Sequence, residues 1–100
     1  MQAFKIILQN KAKEDLGGIV DYLCTLSPQA SLALYDSFVD KIGSLAQMPE
    51  RCPCARDQQL RSRGYRFLII ESYVVFFVFE NETVHVRRIL YNKRNFSGLL

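Results

Sequence analysis

A chain of 100 residues, 49% of them apolar, can enclose one core and is too short for two, so a single domain spanning 1–100 is expected. No apolar run approaches the roughly 18 to 20 residues that cross a bilayer, and the N-terminus lacks the basic, apolar and small-residue stretches of a secretory leader. A cytoplasmic protein without a membrane partner is expected. The net charge of +3 is unevenly spread: residues 1–50 carry four Lys/Arg against six Asp/Glu, and residues 51–100 carry nine against four. A second half of +5 suits an acidic protein or a polyanion as partner.

Along the chain, Ala3, Phe4, Ile6, Ile7 and Leu8 form an apolar run too brief for a helix and suited to a first strand. Asn10 is placed to cap a helix, with Glu14 and Asp15 near its positive end, and Leu16, Ile19, Val20, Leu23 and Leu26 recur at spacings of three and four. Gly17 and Gly18 inside it each cost about 1 kcal/mol relative to Ala, which calls for close packing or a kink. Ser27-Pro28 restarts the helix, serine supplying a capping oxygen and proline taking the first helical position. The second stripe is Leu34, Phe38, Ile42 and Leu45, ending before Pro49. With almost no linker between them, the two helices must fold back as a hairpin.

Residues 49–63 lack sustained periodicity and read as an irregular crossover or one short strand. Three runs rich in β-branched and aromatic residues follow, Tyr65 to Ile70, Tyr73 to Phe79 and Thr83 to Leu90, separated by Glu71-Ser72 and Glu80-Asn81-Glu82. They read as consecutive antiparallel strands, with the first strand pairing beside one of them. Tyr65, Phe67 and Ile69 are apolar on one parity and Leu68 and Ile70 on the other, so both sheet faces need cover. Val84 and Val86 share a parity that Ile89 leaves, with Arg87-Arg88 between, which predicts a β-bulge. The fold class is α+β, a βααβββ order with a helical hairpin on one face of a twisted antiparallel sheet.

The cysteines, Cys24, Cys52 and Cys54, are odd in number, and a Cys-Pro-Cys spacing closes no useful loop, so free thiols are expected. Those two positions with His85 fall short of a four-ligand zinc signature, and no metal or other cofactor is expected.

The order of elements and several local sequences resemble the RelE/ParE superfamily of bacterial toxins. Asp15, Leu16, Ile19 and Tyr22, then Ser27-Pro28 with Ala30, then Leu45 and Pro49, are similar to that family's helical hairpin. Leu60 through Gly64-Tyr65-Arg66 resembles its strand entry, and Arg88-Ile89-Leu90-Tyr91 with Lys93-Arg94-Asn95 resembles its ending. The resemblance implies the growth-inhibiting toxin of a type II toxin–antitoxin pair, bound and silenced by a cognate antitoxin. Two modes of action stay open. One is ribosome-dependent mRNA cleavage, an endoribonuclease activity with the ribosome and mRNA as partners. The other is non-enzymatic poisoning of DNA gyrase.

For cleavage, the resemblance places Arg66 and Arg94 as phosphate-stabilising arginines, with Tyr91 and His85 as substitutes for the acid and base. Asp57 and Gln59 stand where RelE ribonucleases carry lysines, and Leu100 where they carry a tyrosine. Arg61, Arg63, Arg87, Arg88 and Lys93 are the candidates for contact with nucleic acid or another target.

Overall fold

The computed structural model describes residues 3–92. Strand β1 (Lys5–Leu8) leads into helix α1 (Asn10–Leu26) and helix α2 (Pro28–Gly43). Two 3-10 turns, Ser44–Ala46 and Pro49–Arg51, then a short helix α3 (Gln58–Ser62), lead to strands β2 (Arg66–Ile70), β3 (Tyr73–Glu80) and β4 (Thr83–Tyr91). No described helix is long and apolar enough to cross a membrane.

One residue separates the two long helices. The Ser27 N–H donates to Leu23 O (2.8 Å), closing α1, and Ser27 Oγ accepts from Ala30 N (3.2 Å), opening α2. Pro28 at the first helical position loses nothing by lacking an N–H. The hairpin is tied again where the buried Ser31 hydroxyl donates to Val20 O (2.8 Å). At the other end of α1 the capping position is Gln9 rather than Asn10, and the Gln9 side chain makes no cap bond because it turns toward His85.

The sheet order is β1-β4-β3-β2. The β2–β3–β4 meander is antiparallel as expected, but β1 joins β4 in parallel, with Ile6 opposite Val84 and Leu8 opposite Val86, so the sheet is mixed. Helix α2 ends beside the start of β1, where the Phe4 N–H donates to Ala46 O (2.8 Å), so β2 sets out from that end and β4, the third strand of the meander, runs in the same direction as β1. In the β3–β4 turn Asn81 and Glu82 both take positive φ (50° and 62°), as a type I′ turn requires.

Two cores result. Leu34, Phe38 and Ile42 of α2 and Ala12 of α1 pack on Ile70, Val75, Phe77, Val84, Val86 and Ile89. The opposite face is covered by the crossover: Ala55 and Leu60 pack on Tyr65, Val74, Phe76 and Leu90. This is the cover that the two-sided apolar pattern demands. It is supplied by α3, in a stretch expected to be an irregular crossover or one short strand, of which an isolated bridge between Cys54 and Arg66 is the strand-like part.

Helix α3 has only five residues, and its ends explain why it forms. Asp57 Oδ1 accepts from Gln59 N (2.9 Å) and Leu60 N (3.1 Å). At the other end the Tyr65 N–H donates to Leu60 O (3.0 Å) and the Gly64 N–H to Arg61 O (3.0 Å), with Gly64 at φ 82°. That is a Schellman stop, completed by the contact of Tyr65 with Leu60 in the second core.

The expected bulge is present in β4. Phe77 faces Val86 and Phe76 faces Arg88, leaving Arg87 without a partner across the strand pair.

Candidate functional site

Cross-strand partners share a sheet face, so the register assigns each candidate side chain to a side. Arg66 lies opposite Phe77, which belongs to the core beneath the hairpin. Its guanidinium donates to Cys52 O (2.6 Å) and Glu50 O (3.2 Å) and sits 5.4 Å above the Phe79 ring. There it ties the 50–52 turn to the sheet. His85 lies opposite Val78, on the other face, with Nδ1 3.1 Å from Gln9 Nε2.

Tyr91 closes β4, half-exposed, its ring edge-on to Tyr73 at 5.8 Å. The Tyr73 hydroxyl is pushed above its ordinary range by burial, with Tyr91, Tyr22 and Glu71 adding in the same direction. Tyr91 stands six residues along the strand from His85, which is about 20 Å. The structure therefore does not bring Arg66, His85 and Tyr91 together. Arg94 and Lys93 lie outside the described residues.

The remaining arginines divide into two kinds. Arg61 Nε donates to Ala55 O (3.0 Å) and Nη2 to Arg56 O (3.3 Å), holding the crossover in place. Arg88 donates from Nε to Asp15 Oδ2 (2.7 Å) and from Nη2 to Asp15 Oδ1 (3.1 Å), an ion pair whose side chains are only 17% and 15% exposed. That hydrogen bond, opposed by burial and reinforced by the charges of Asp15 and Glu14, raises the Arg88 pKa. Arg63 and Arg87 instead line an open cleft of about 470 Å³ with Tyr65, Val78 and Glu80. The Arg63 guanidinium lies 5.2 Å over the Tyr65 ring. Arg87 Nε is buried and has no hydrogen-bond partner among the described residues.

Sequence reasoning missed Tyr65 and Glu80 as parts of this cleft. Their signal was the bulge itself, since a bulge re-aims the residue it frees, here toward the Gly64-Tyr65 turn. The hairpin also carries an exposed apolar set, Leu32, Tyr35 and Val39 at helical spacing on α2. Among the described residues no three His, Cys, Asp or Glu side chains are grouped to hold a metal ion.

No curated protein sequence matches the chain. Solved structures share its fold, two of them from toxin–antitoxin systems. The chromosomal ParDE toxin–antitoxin system from P. aeruginosa aligns with a TM-score of 0.74 at 22% identity, over 89% of this chain and 96% of the other. The RelBE2 toxin–antitoxin complex from Mycobacterium tuberculosis aligns with a TM-score of 0.59 at 20% identity, over 89% and 98%. The family described as ParE toxin of type II toxin–antitoxin system, parDE, matches residues 6–96, nearly the whole length. The chain belongs to the ParE toxin family and is the toxin of a type II toxin–antitoxin system.

Proposed function

We propose that this toxin arrests growth by binding its target, DNA gyrase, rather than by cutting mRNA, and that a cognate antitoxin covers the binding surface until release. The observation that carries the reading is the placement of Arg66. RNA cleavage needs a base at the 2′-hydroxyl, an acid at the leaving oxygen and a cation at the phosphate, all within a few ångströms of one phosphorus. Arg66 donates instead to two main-chain carbonyls on the hairpin side of the sheet, while His85 faces the other side. A binding toxin needs no such convergence. Membership of the ParE rather than a ribonuclease family supports the same reading.

The test is controlled expression in a bacterial host with translation and DNA synthesis scored separately, alongside supercoiling by purified gyrase. Blocked supercoiling with intact transcripts is expected. Normal supercoiling at saturating toxin, with transcripts cut inside codons and cutting lost in a folded Arg66→Ala or Arg94→Ala variant, refutes the proposal in favour of the ribonuclease reading.

A further inference from the structure

The cleft beside the β4 bulge has a chemistry that the fold does not require. Arg87 is the residue the bulge frees from cross-strand pairing, and its buried Nε has no hydrogen-bond partner among the described residues. A guanidinium donor taken out of water without an acceptor is destabilising, and most such groups in folded proteins are paired. Arg87 also lines a cleft open to solvent, so an acceptor that enters the cleft meets the guanidinium of which this Nε is part. The cleft volume of about 470 Å³ falls within the range of ligand pockets, roughly 300–1,000 Å³.

The walls select among acceptors. Arg63, held over the Tyr65 ring, adds a second positive charge, and Tyr65 and Val78 add apolar surface. Glu80 stands in the same cleft. A carboxylate next to the site repels a run of phosphates, so a nucleic-acid backbone is disfavoured. An extended peptide is not: it offers one planar carboxylate matching the guanidinium fork, and main-chain N–H groups that Glu80 can accept. The excess positive charge of residues 51–100 makes an acidic protein segment the matching partner.

We infer that this cleft is a carboxylate socket, in which Arg87 anchors, with Arg63 beside it, an Asp or Glu side chain from an extended acidic segment of the cognate antitoxin. The inference rests on the toxin–antitoxin reading and assigns its contact to a place on the fold. An antitoxin seated there leaves the hairpin face open and reaches the toxin through the second sheet face.

The experiment uses the full chain with labelled arginine side chains. Blocked hexaglutamate peptide should shift the Arg87 Nε–Hε resonance in a saturable way, and a hexathymidylate strand should leave it in place. Affinity for the antitoxin should fall by about tenfold or more in Arg87→Gln, and nearly as far in Arg87→Lys, since a lysine keeps the charge but loses the fork. Lys41→Gln on α2 removes the same charge elsewhere and should leave affinity within about twofold. Should Arg87→Gln not fold, Arg87→Lys alone reads the socket, with its loss of antitoxin affinity still expected. Antitoxin binding that is strong in the wild type and unchanged in folded Arg87→Gln and Arg87→Lys overturns the socket while sparing the toxin reading. A hexathymidylate shift larger than the peptide's overturns it too, and gives the cleft to nucleic acid. A wild-type chain that binds no antitoxin removes the toxin–antitoxin reading itself.

Discussion

Replacing Asp15 with alanine tests how the two layers are joined. Strand β1 pairs with β4 only as far as Leu8 opposite Val86, where the Gln9 N–H donates to Val86 O (2.9 Å). Beyond that point β4 has no strand neighbour on this side, and α1 takes over. Asp15 Oδ2 accepts the Ile89 N–H (3.0 Å) that a longer β1 would have paired, and the same carboxylate holds Arg88. Removing it leaves one main-chain donor unpaired and takes the carboxylate away from one guanidinium. Breaking a buried pair from one side costs about 3–5 kcal/mol. Because the side chains here are still 17% and 15% exposed, some screening applies, and we expect about 2–4 kcal/mol. For a chain of this size that lowers Tm by roughly 8 to 32 °C, at about 4–8 °C per kcal/mol. Asp15→Asn retains an acceptor for Ile89 N and should lose about half as much. Urea and thermal unfolding followed by circular dichroism supply the numbers, and the Asp15→Ala/Arg88→Ala double variant isolates the pairwise part. A loss below about 1 kcal/mol for Asp15→Ala, or additivity in the cycle, refutes the idea that this ion pair stands in for the missing length of β1.

Four further outcomes are expected. Gly17→Ala and Gly18→Ala should each stabilise by about 0.5–1 kcal/mol, because an added Cβ at either meets nothing within 4 Å; thermal melts decide. Asp57→Ala should cost about 1 kcal/mol by uncapping α3, read as a lower urea midpoint at constant slope. A thiol reagent should titrate the exposed Cys24 and Cys54 in the native protein and reach the buried Cys52 only on unfolding, since burial raises the Cys52 pKa against the opposing charges of Arg51 and Arg66. Stability should fall at alkaline pH: a phenol whose folded pKa is raised above 10.0 contributes fully below that value, and its contribution is lost as pH climbs toward the folded pKa. Tyr73→Phe should flatten that decline in a pH series of unfolding midpoints.

The hairpin, the meander and the bulge were legible in the residues because each is written locally. Ser27-Pro28 both ends and begins a helix, and the break in parity between Val86 and Ile89 marks the extra residue. Helix α3 was not legible, since five residues carry no periodicity and its stability lies in its ends and in Leu60. The parallel pairing of β1 escaped for a different reason: an apolar tetrad fits either direction, and only the return path through two helices fixes it. For the site, the charges were found but their partners were not. Nothing in the string Arg87-Arg88 says that the second arginine is held by Asp15 while the first is turned to a cleft.

That pair also shows why a family can be recognised here more readily than a mechanism. Several residues that carry the resemblance are scaffold: Asp15 docks α1 on β4, Ser27 joins the helices, Gly64 and Tyr65 stop α3, and Arg66 ties down the 50–52 turn. Such positions are restricted by backbone geometry and burial, whatever the toxin acts upon. Asp57, which departs from the lysine expected of a ribonuclease, departs toward a structural role as the cap of α3. Recognition is left to side chains that the scaffold does not hold, and on the second face the bulge frees one such side chain in Arg87. A substitution there can change what the molecule recognises without disturbing the motifs by which its fold is known, so the mode of action has to be argued from which face each arginine occupies.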